Sequence, residues 1–354
     1  MKNLRKLTAV LLMLTMVFVL AACSNTPAAN AEPPAAPAQE PAKAPEAPAA
    51  EPAKDGPIYV GFVQVGAESD WRMANTKSMQ TTFTEANGYM FEMVDCQQQT
   101  PKQITAIRDF IQKDVDYIVL APNTEAGWDT VLNEAKEAGI PVIIVDRMIQ
   151  TTDDSLFAAW VGSNFLQEGY DAVTALETVL AKKGVTDADP VNIVTLQGTM
   201  GSSAQIGRTD GFAEKMTAHA NWKMLDKQSG DFTQEKGQEV MESFLKSYPD
   251  IDVVICENDN MAFGAIKAIK AAGKTCGPKG EITIISFDAV KAAFESMIAG
   301  DMDANVECNP LHGPRVESII KALEAGQSVE KIAYVEEGTF YAEDAAATIG
   351  SRAY

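Results

Sequence analysis

Short apolar runs alternate with amphipathic stretches from Ile58 onwards, a pattern typical of strands and helices that take turns along a chain. In the first half, the apolar runs predict buried strands at residues 58–63, 89–94, 117–120 and 142–145. The amphipathic stretches between them predict helices at residues 71–86, 102–112 and 126–138. Because these strands are apolar throughout, we expect a parallel sheet covered by helices on both faces.

The same alternation starts again in the second half of the chain. Its apolar runs predict strands at residues 191–196, 224–227, 253–255 and 282–285. Its amphipathic stretches predict helices at residues 164–182, 203–218, 234–247 and 261–272. Two strand–helix blocks of similar size predict an α/β fold with two Rossmann-like lobes.

The N-terminal region differs from the rest of the chain in composition and hydrophobic pattern. Residues 24–56 are mostly Ala, Pro and Glu with no hydrophobic period, so they predict a stiff, disordered tether. Residues 1–23 predict a lipoprotein signal peptide, since basic residues precede an apolar run that is short for a membrane span. The run ends at Leu20-Ala21-Ala22-Cys23, which is similar to a bacterial lipobox and makes Cys23 the expected lipidation site. The alternative is an ordinary signal peptide with an incidental cysteine.

The charge of the chain limits its partners. Its 354 residues carry 29 Lys and Arg against 49 Asp and Glu, a formal net charge of -20. Phosphate recognition needs clustered Lys and Arg, so a nucleic-acid partner is not expected. The same balance argues against adsorption to anionic lipid, and contact with the membrane is expected through Cys23 alone. A neutral ligand is compatible with such a surface.

Enzymatic and metal motifs are missing from the sequence. The chain has no G-x-S-x-G, G-x-x-x-x-G-K-[ST], H-E-x-x-H or G-x-G-x-x-G motif, so we expect neither an enzyme nor a bound cofactor. Its only histidines are His219 and His312, and no C-x-x-C pair is present, so no metal site is expected. Export permits disulfides. The sequence leaves open whether any of four cysteines pair, namely Cys96, Cys256, Cys276 and Cys308.

Candidate binding residues follow the predicted strands. In open parallel sheets, ligands bind beyond the carboxyl ends of the strands. The candidates at these positions, or on a helix that follows one, are Ser69, Trp71, Arg72, Asp146, Arg147, Arg208, Phe232, Asn258 and Asp288. Aromatic faces, guanidinium donors and carboxylate acceptors together suit a polyhydroxylated ring, whose C–H faces pack on aromatic side chains while its hydroxyls need both donors and acceptors.

Each candidate also has an ordinary structural interpretation. Trp71 is compatible with simple packing, and Asp146 with Arg147 is compatible with a surface ion pair. Asn258 and Asp288 are compatible with helix caps. Their shared position at strand ends favours the binding interpretation, because independent caps would not require the tryptophan and the arginines.

Several motifs, in one order along residues 58–340, resemble the periplasmic sugar-binding proteins of the ribose-binding type. They are Val63-Gln64-Val65-Gly66 with Ser69-Asp70-Trp71-Arg72, Val145-Asp146-Arg147, Leu196-Gln197-Gly198, Gln228-Ser229-Gly230-Asp231-Phe232-Thr233, Glu257-Asn258-Asp259-Asn260-Met261-Ala262 and Ser286-Phe287-Asp288. Within that family, three segments look most similar to the galactofuranose-binding branch, namely Glu68-Ser69-x-Trp71-Arg72, Gly127-Trp128 and Ser229-Gly230-Asp231-Phe232-Thr233.

The resemblance implies two lobes joined by a three-segment hinge, with crossings near residues 162–164, 306–310 and 335–338. The first lobe would comprise residues 58–162 and 309–335, and the second 163–308 and 336–354. A monosaccharide would bind in the cleft between the lobes, and the cleft would close on it. Ser69, Trp71, Arg72, Asp146 and Arg147 would contact the sugar from the first lobe, and Arg208, Phe232, Asn258 and Asp288 from the second. The family often places an amide near the hinge, where Glu307 becomes the tenth candidate.

The resemblance also implies a function. A monomer anchored outside the membrane would deliver the sugar to the permease of an ABC transporter. Two alternatives remain open: a sensory receptor of the same fold that presents occupancy to a membrane kinase or chemoreceptor, and a binder of an autoinducer or a cyclic polyol.

Overall fold

The computed structural model describes residues 56–354. The predicted signal peptide, the lipidation site Cys23 and residues 24–55 of the predicted tether lie outside the described residues. In residues 56–354, no helix is both long enough and apolar enough to span a bilayer.

Strands and helices alternate along nearly the whole described chain. The strands are β1 Ile58–Gln64, β2 Tyr89–Asp95, β3 Tyr117–Leu120, β4 Val142–Val145, β5 Ala159–Gly162, β6 Val191–Gln197, β7 Trp222–Ser229, β8 Val253–Cys256, β9 Thr283–Asp288, β10 Ala304–Glu307, β11 Ile332–Tyr334 and β12 Thr339–Tyr341. The helices are α1 Asp70–Thr82, α2 Thr100–Gln112, α3 Asp129–Glu137, α4 Phe165–Lys182, α5 Ser203–Met216, α6 Gln234–Ser247, α7 Asp259–Ala271, α8 Lys291–Ala299, α9 Gly313–Glu324 and α10 Ala345–Thr348.

The first sheet is parallel throughout, with strand order β11-β5-β4-β3-β1-β2. Its strands bury both faces, because alternate side chains enter separate apolar cores. Ile118 and Leu120 of β3 belong to one core, whereas Val119 between them belongs to the other. This pattern explains why β3 and β4 read as continuous apolar runs in the sequence.

The second sheet has the order β12-β10-β9-β8-β6-β7 and is parallel except for the antiparallel edge pair β10–β12. Two further cores cover its faces; Val254 of β8 belongs to one, and Val253 and Ile255 belong to the other. The predicted fold class, two α/β lobes with parallel sheets, is confirmed.

The chain passes between the lobes more than once. After β5 of the first sheet it enters α4, which packs beside β9 and β10 of the second sheet. After β10 it returns to α9, which packs on α1 in the first lobe. After β11 it leaves again for β12 of the second sheet and then forms α10, which packs against α8. The hinge segments therefore lie after β5, β10 and β11.

The sequence patterns missed the short elements. Strands β5, β10, β11 and β12 have only three or four residues each, and β11 and β12 are edge strands with β5 and β10 next to them, so they give little hydrophobic signal. The helix predicted at residues 126–138 begins later, at Asp129, because Gly127 has a φ of +100° and cannot start a helical turn.

Candidate functional site

A small cavity lies where the carboxyl ends of both sheets meet the hinge. Its lining comes from both lobes and consists of Glu68, Ser69, Trp71, Arg72, Asp146, Arg147, Phe165, Ala204, Arg208, Phe232, Asn258, Asp288 and Cys308. Nine of the ten residues predicted from the sequence are therefore brought together, and Glu307 is not among them.

The two lobes touch directly beside this cavity. The Asp70 backbone N–H donates to Asn260 Oδ1 at 3.0 Å, and the Met148 N–H donates to Ser203 Oγ at 2.8 Å. The Arg147 guanidinium lies 5.0 Å from the centroid of the Phe232 ring in the opposite lobe. These contacts show the cleft in a closed arrangement.

Arg72 is the centre of the first-lobe side of the cavity. Ser69 caps α1 by accepting a hydrogen bond from the Arg72 backbone N–H at 3.1 Å. This bond holds the Arg72 backbone, and with it the base of the Arg72 side chain, at the edge of the cavity. Arg72 Nε donates to Glu68 Oε1 at 3.0 Å, and Nη2 donates to Asp146 Oδ2 at 2.7 Å. Burial alone would lower the pKa of Arg72, but the adjacent carboxylates of Asp146 and Glu68 raise it. Arg72 is therefore charged and rigidly held.

Asp146 and Arg147 follow β4 and form the second part of this network. Burial disfavours the ionised form of Asp146, yet the charges of Arg72 and Arg147 outweigh it and lower the pKa of the carboxyl. Arg147 Nη1 donates to the backbone oxygen of Asn123 at 3.0 Å. Burial, together with the like charge of Arg72, lowers the pKa of Arg147 to about 10. The sequence alternative of a surface ion pair is thus wrong, since both side chains are buried.

Arg208 carries the charge of the second-lobe side. It projects from α5, where Nε donates to Glu168 Oε2 at 2.6 Å and Nη1 donates to the Glu257 carbonyl. Nη2 lies 3.4 Å from Asp288 Oδ1, and burial raises the pKa of Asp288 despite this contact. A carboxyl whose protonated form is favoured can donate a hydrogen bond as well as accept one.

Two aromatic rings flank the charged groups. Trp71 packs beneath the Arg72 guanidinium at 4.7 Å, and its indole N–H donates to the Cys308 carbonyl at 2.7 Å. Phe232 lies directly over Gly198, where an added Cβ would approach the ring to 1.9 Å. Glycine at position 198 is therefore required for the ring to reach the cavity.

Three of the lining residues have left-handed backbone conformations, with φ of +64° at Asp146, +62° at Phe232 and +102° at Asp288. Positive φ is uncommon for residues other than glycine, and it costs of the order of 1–3 kcal/mol where the surroundings impose it. Asn258 helps to impose it on Phe232, because Nδ2 donates to the Phe232 carbonyl at 3.0 Å. Such strain concentrates at functional sites.

Asn258 combines the two interpretations that the sequence left open. Its Oδ1 accepts the Met261 N–H at 2.9 Å and so caps α7, while the residue also lines the cavity. The structure thus gives Asn258 a capping role together with its position at the site.

For Glu307 the geometry contradicts the predicted contact. Its carboxylate accepts the Tyr354 hydroxyl at 2.7 Å and the Gly338 N–H at 3.0 Å, and it pairs with Arg352 at 2.7 Å. Side chains on consecutive positions of an extended segment point to opposite sides, so Cys308 faces the cavity and Glu307 faces away from it.

Four lining residues were not predicted as contacts: Glu68, Phe165, Ala204 and Cys308. Glu68 stands in the motif before Trp71, and that motif was the signal that could have identified it. Phe165 and Ala204 lie in the first turns of α4 and α5, and nothing in the local pattern distinguishes them from core residues. Within residues 56–354 the four cysteines are free and buried, which answers the pairing question for this structure.

Two α/β lobes with a charged and aromatic cavity at their hinge define a two-lobed solute-binding protein. Residues 60–312 match the family model described as periplasmic binding protein domain, and the chain belongs to this family. The family resemblance inferred from the sequence motifs is thereby confirmed, and with it an extracytoplasmic class of protein.

Curated relatives and solved structures agree with this assignment. The chain is 40% identical over 294 residues to the galactofuranose-binding protein YtfQ of Escherichia coli, covering 82% of this chain and 89% of the relative. A Mycobacterium smegmatis structure in complex with β-D-fucofuranose is 41% identical, with a TM-score of 0.78, covering 83% of this chain and 94% of the other. The Shewanella arabinose-transporter component bound to L-arabinofuranose is 39% identical, with a TM-score of 0.77, covering 84% and 96%.

Proposed function

We propose that the protein binds a monosaccharide in its furanose form between the lobes and delivers it to an ABC transporter. The three relatives described above carry names that specify galactofuranose, fucofuranose and arabinofuranose, and each is at least 39% identical to this chain. The proposal extends that ligand class to the present cavity, as galactofuranose or a related aldose. It describes a binding protein without catalysis.

Unsatisfied polar atoms in the cavity carry the proposal. Among residues 56–354, Arg72 Nη1 and Glu68 Oε2 are buried and have no hydrogen-bond partner. Leaving a buried donor or acceptor without a hydrogen bond costs roughly 1–3 kcal/mol. A sugar hydroxyl is donor and acceptor at once, so adjacent hydroxyls satisfy the guanidinium and the carboxylate together. A sugar therefore supplies the missing hydrogen bonds to Arg72 and Glu68, whereas an apolar ligand leaves both atoms unsatisfied.

The charge balance of the cavity supports a neutral ligand. Within the cavity lining, Arg72 and Arg147 face the carboxylates of Glu68 and Asp146, and Arg208 pairs with Glu168 just outside the lining, so the ionised groups cancel. The remaining lining carboxyl, Asp288, has a raised pKa. A sugar without charge leaves this balance intact, and the charged groups strengthen their hydrogen bonds to its hydroxyls. The Trp71 and Phe232 rings supply the apolar surface that a ring C–H face needs.

Cleft closure follows from contacts that both lobes make with one ligand. Such contacts exist only in the closed state, so binding shifts the equilibrium towards closure by the difference in affinity. We propose the lobe boundaries 58–162 with 309–335 and 163–308 with 336–354. In support, every strand of the first sheet falls within the first set and every strand of the second sheet within the second.

The proposal includes a membrane anchor. Acylation of Cys23 and a tether through residue 56 would hold a monomer near the permease. Mass spectrometry of the membrane fraction tests it: a diacylated Cys23 peptide is expected, whereas a free Cys23 thiol in a soluble product contradicts the anchor.

A thermal-shift screen against pentoses, hexoses and polyols tests the ligand class. A ligand that binds only the folded state raises the melting temperature by mass action. Aldoses that populate furanose forms are expected to raise it, and D-sorbitol, which cannot close a ring, serves as the control. A shift with sorbitol and none with any aldose contradicts the proposal.

A further inference from the structure

A second polar cluster lies at the hinge, beside the sugar cavity, with which it shares Cys308. It consists of Glu168, Cys308 and Glu337, whose ligand atoms all lie within 4.8 Å of one another. These residues belong to the three places where the chain crosses between the lobes: the start of α4, the segment after β10 and the segment after β11. The cluster therefore joins parts of the chain that are distant in sequence.

One carboxylate oxygen of Glu168 lacks a strong hydrogen-bond donor. The Glu168 side chain is 3% exposed, and its Oε2 accepts the Arg208 Nε–H at 2.6 Å. Its Oε1 is buried and, within the described part of the chain, accepts no hydrogen bond from an N–H or O–H donor, and the neighbouring Cys308 thiol supplies only a weak one. A buried acceptor without a donor is costly, so this oxygen indicates a missing ligand.

The neighbouring carboxylate is positioned by the hinge backbone. Glu337 Oε1 accepts the Ser163 hydroxyl at 2.5 Å and the Asn309 N–H at 2.7 Å. Ser163 Oγ also lies 3.3 Å from Cys308 Sγ. The side chain is thus directed at the thiol and at Glu168, and it is fixed there before any ligand arrives.

The charge of the ionised cluster matches a divalent cation. When ionised, two carboxylates and a thiolate carry three negative charges, and one of them, that of Glu168, is paired with Arg208. Two negative charges then remain, which one divalent ion neutralises. Access exists as well, because Glu168 and Glu337 also line a separate pocket at the hinge, with Asn164, Gln167 and Gly338 at its wall.

We propose that Glu168, Cys308 and Glu337 form a binding site for a divalent metal ion of the zinc class. A thiolate with two carboxylates is a donor set that zinc accepts in four-coordinate geometry, and water from the hinge pocket supplies the fourth ligand. Metal–ligand bonds of ~2.0–2.3 Å require the three side chains to close by roughly 1 Å. Burial raises the pKa of both Cys308 and Glu337, so the thiol proton and the proton of a protonated Glu337 carboxyl are released to solvent when the metal binds.

This site has a structural consequence. Because its ligands come from all three hinge crossings, a bound ion ties together segments that move relative to one another when the lobes open. A ligand set assembled from Cys and Glu across the hinge needs neither histidine nor a C-x-x-C pair, so it leaves no metal motif in the sequence.

Zinc and cadmium titrations of the full-length protein test the proposal without any sugar. Competition against a chromogenic chelator is expected to show one zinc per chain, and cadmium is expected to produce a thiolate-to-metal ultraviolet absorption band. Zinc is also expected to raise the melting temperature. The absence of stoichiometric zinc binding overturns the proposal.

Matched variants assign the ligands. Cys308→Ser should abolish the cadmium band, and Glu337→Gln should weaken zinc binding by more than the ~10- to 100-fold that loss of an outer-shell partner costs. The buried Cys96, which lies outside the cluster, provides the control Cys96→Ser, expected to bind as the wild type. Circular dichroism establishes that each variant folds, and if Cys308→Ser does not fold, Glu337→Gln decides. A full cadmium band in Cys308→Ser, or unchanged zinc affinity in Glu337→Gln, contradicts the site.

Discussion

The indole N–H of Trp71 donates a hydrogen bond to the Cys308 carbonyl at 2.7 Å, across 237 positions of sequence. The bond connects the first turn of α1, which lines the sugar cavity, to the hinge segment after β10. Trp71 therefore serves both as an aromatic wall of the cavity and as a link to the hinge. Its loss should affect ligand affinity and not only folding.

We expect Trp71→Phe to weaken sugar binding by about 1–2 kcal/mol, because the ring is kept while a buried carbonyl loses its donor. Calorimetry measures the affinity, and thermal melts measure the stability. The control is Trp222→Phe, since Trp222 lies outside the sugar cavity and stacks on His219. Trp222→Phe should bind sugar with the affinity of the wild type. The same affinity in Trp71→Phe would show that the indole N–H of Trp71 does not contribute to sugar binding.

Asp146→Ala should weaken sugar binding by roughly 2–4 kcal/mol, because it leaves the Arg72 guanidinium buried without its 2.7 Å partner. Calorimetry on the folded variant provides the test. Asp153→Ala is the matched control: its ion pair with Lys136 is about half exposed, so its effect should be close to zero. An affinity for sugar equal to the wild type in the Asp146 variant would exclude the residue from the site.

Gly198→Ala should displace Phe232, because the new Cβ would lie 1.9 Å from the ring. We expect a loss of stability of about 1–3 kcal/mol and at least a tenfold loss of sugar affinity. Gly350→Ala is the control, since nothing lies within 4 Å of a Cβ added there. Equal affinities in the two variants would show that the Phe232 ring does not contact the ligand.

Glu257 should make stability depend on pH. Burial raises the pKa of its carboxyl from 4.5 to about 7, so the folded state keeps a proton that the unfolded state releases. Stability should then fall as pH rises between about 4.5 and 7, by about 3 kcal/mol in total from this group. Below pH 4.5, Glu257 is protonated in both the folded and the unfolded protein, so it adds no pH dependence. Above pH 7, it is ionised in both, and the folded protein bears the full cost of burying the charge.

Glu257→Gln tests this pH dependence. The amide can accept the Gly198 N–H through its oxygen and donate to the Thr209 hydroxyl, which are the present partners of the carboxyl. The variant should therefore gain stability relative to wild type at pH 8 but not at pH 4.5, as measured by urea unfolding. Glu295→Gln, at an exposed position, should change neither value. The same stability difference at both pH values would refute the assignment.

The sequence predicted those parts of the site that depend on a single sheet. Ser69 follows β1 and Asp146 follows β4, two strands of the first sheet, and parallel strands place their carboxyl ends at one edge, so the convergence of these two residues was predictable. Phe165 and Cys308 were not predictable, because their place in the cavity depends on how the hinge orients the two lobes. Glu307 failed for a local reason: a shift of one residue in an extended segment reverses the direction of the side chain.

The structure of the protein with a furanose sugar bound tests the central claim most directly. The account predicts the sugar between the lobes, with hydroxyl oxygens within hydrogen-bond distance of Arg72 Nη1 and Glu68 Oε2, two cavity-lining atoms that are buried and lack a partner among residues 56–354. A sugar bound elsewhere, or one that leaves both atoms without a partner, would contradict it.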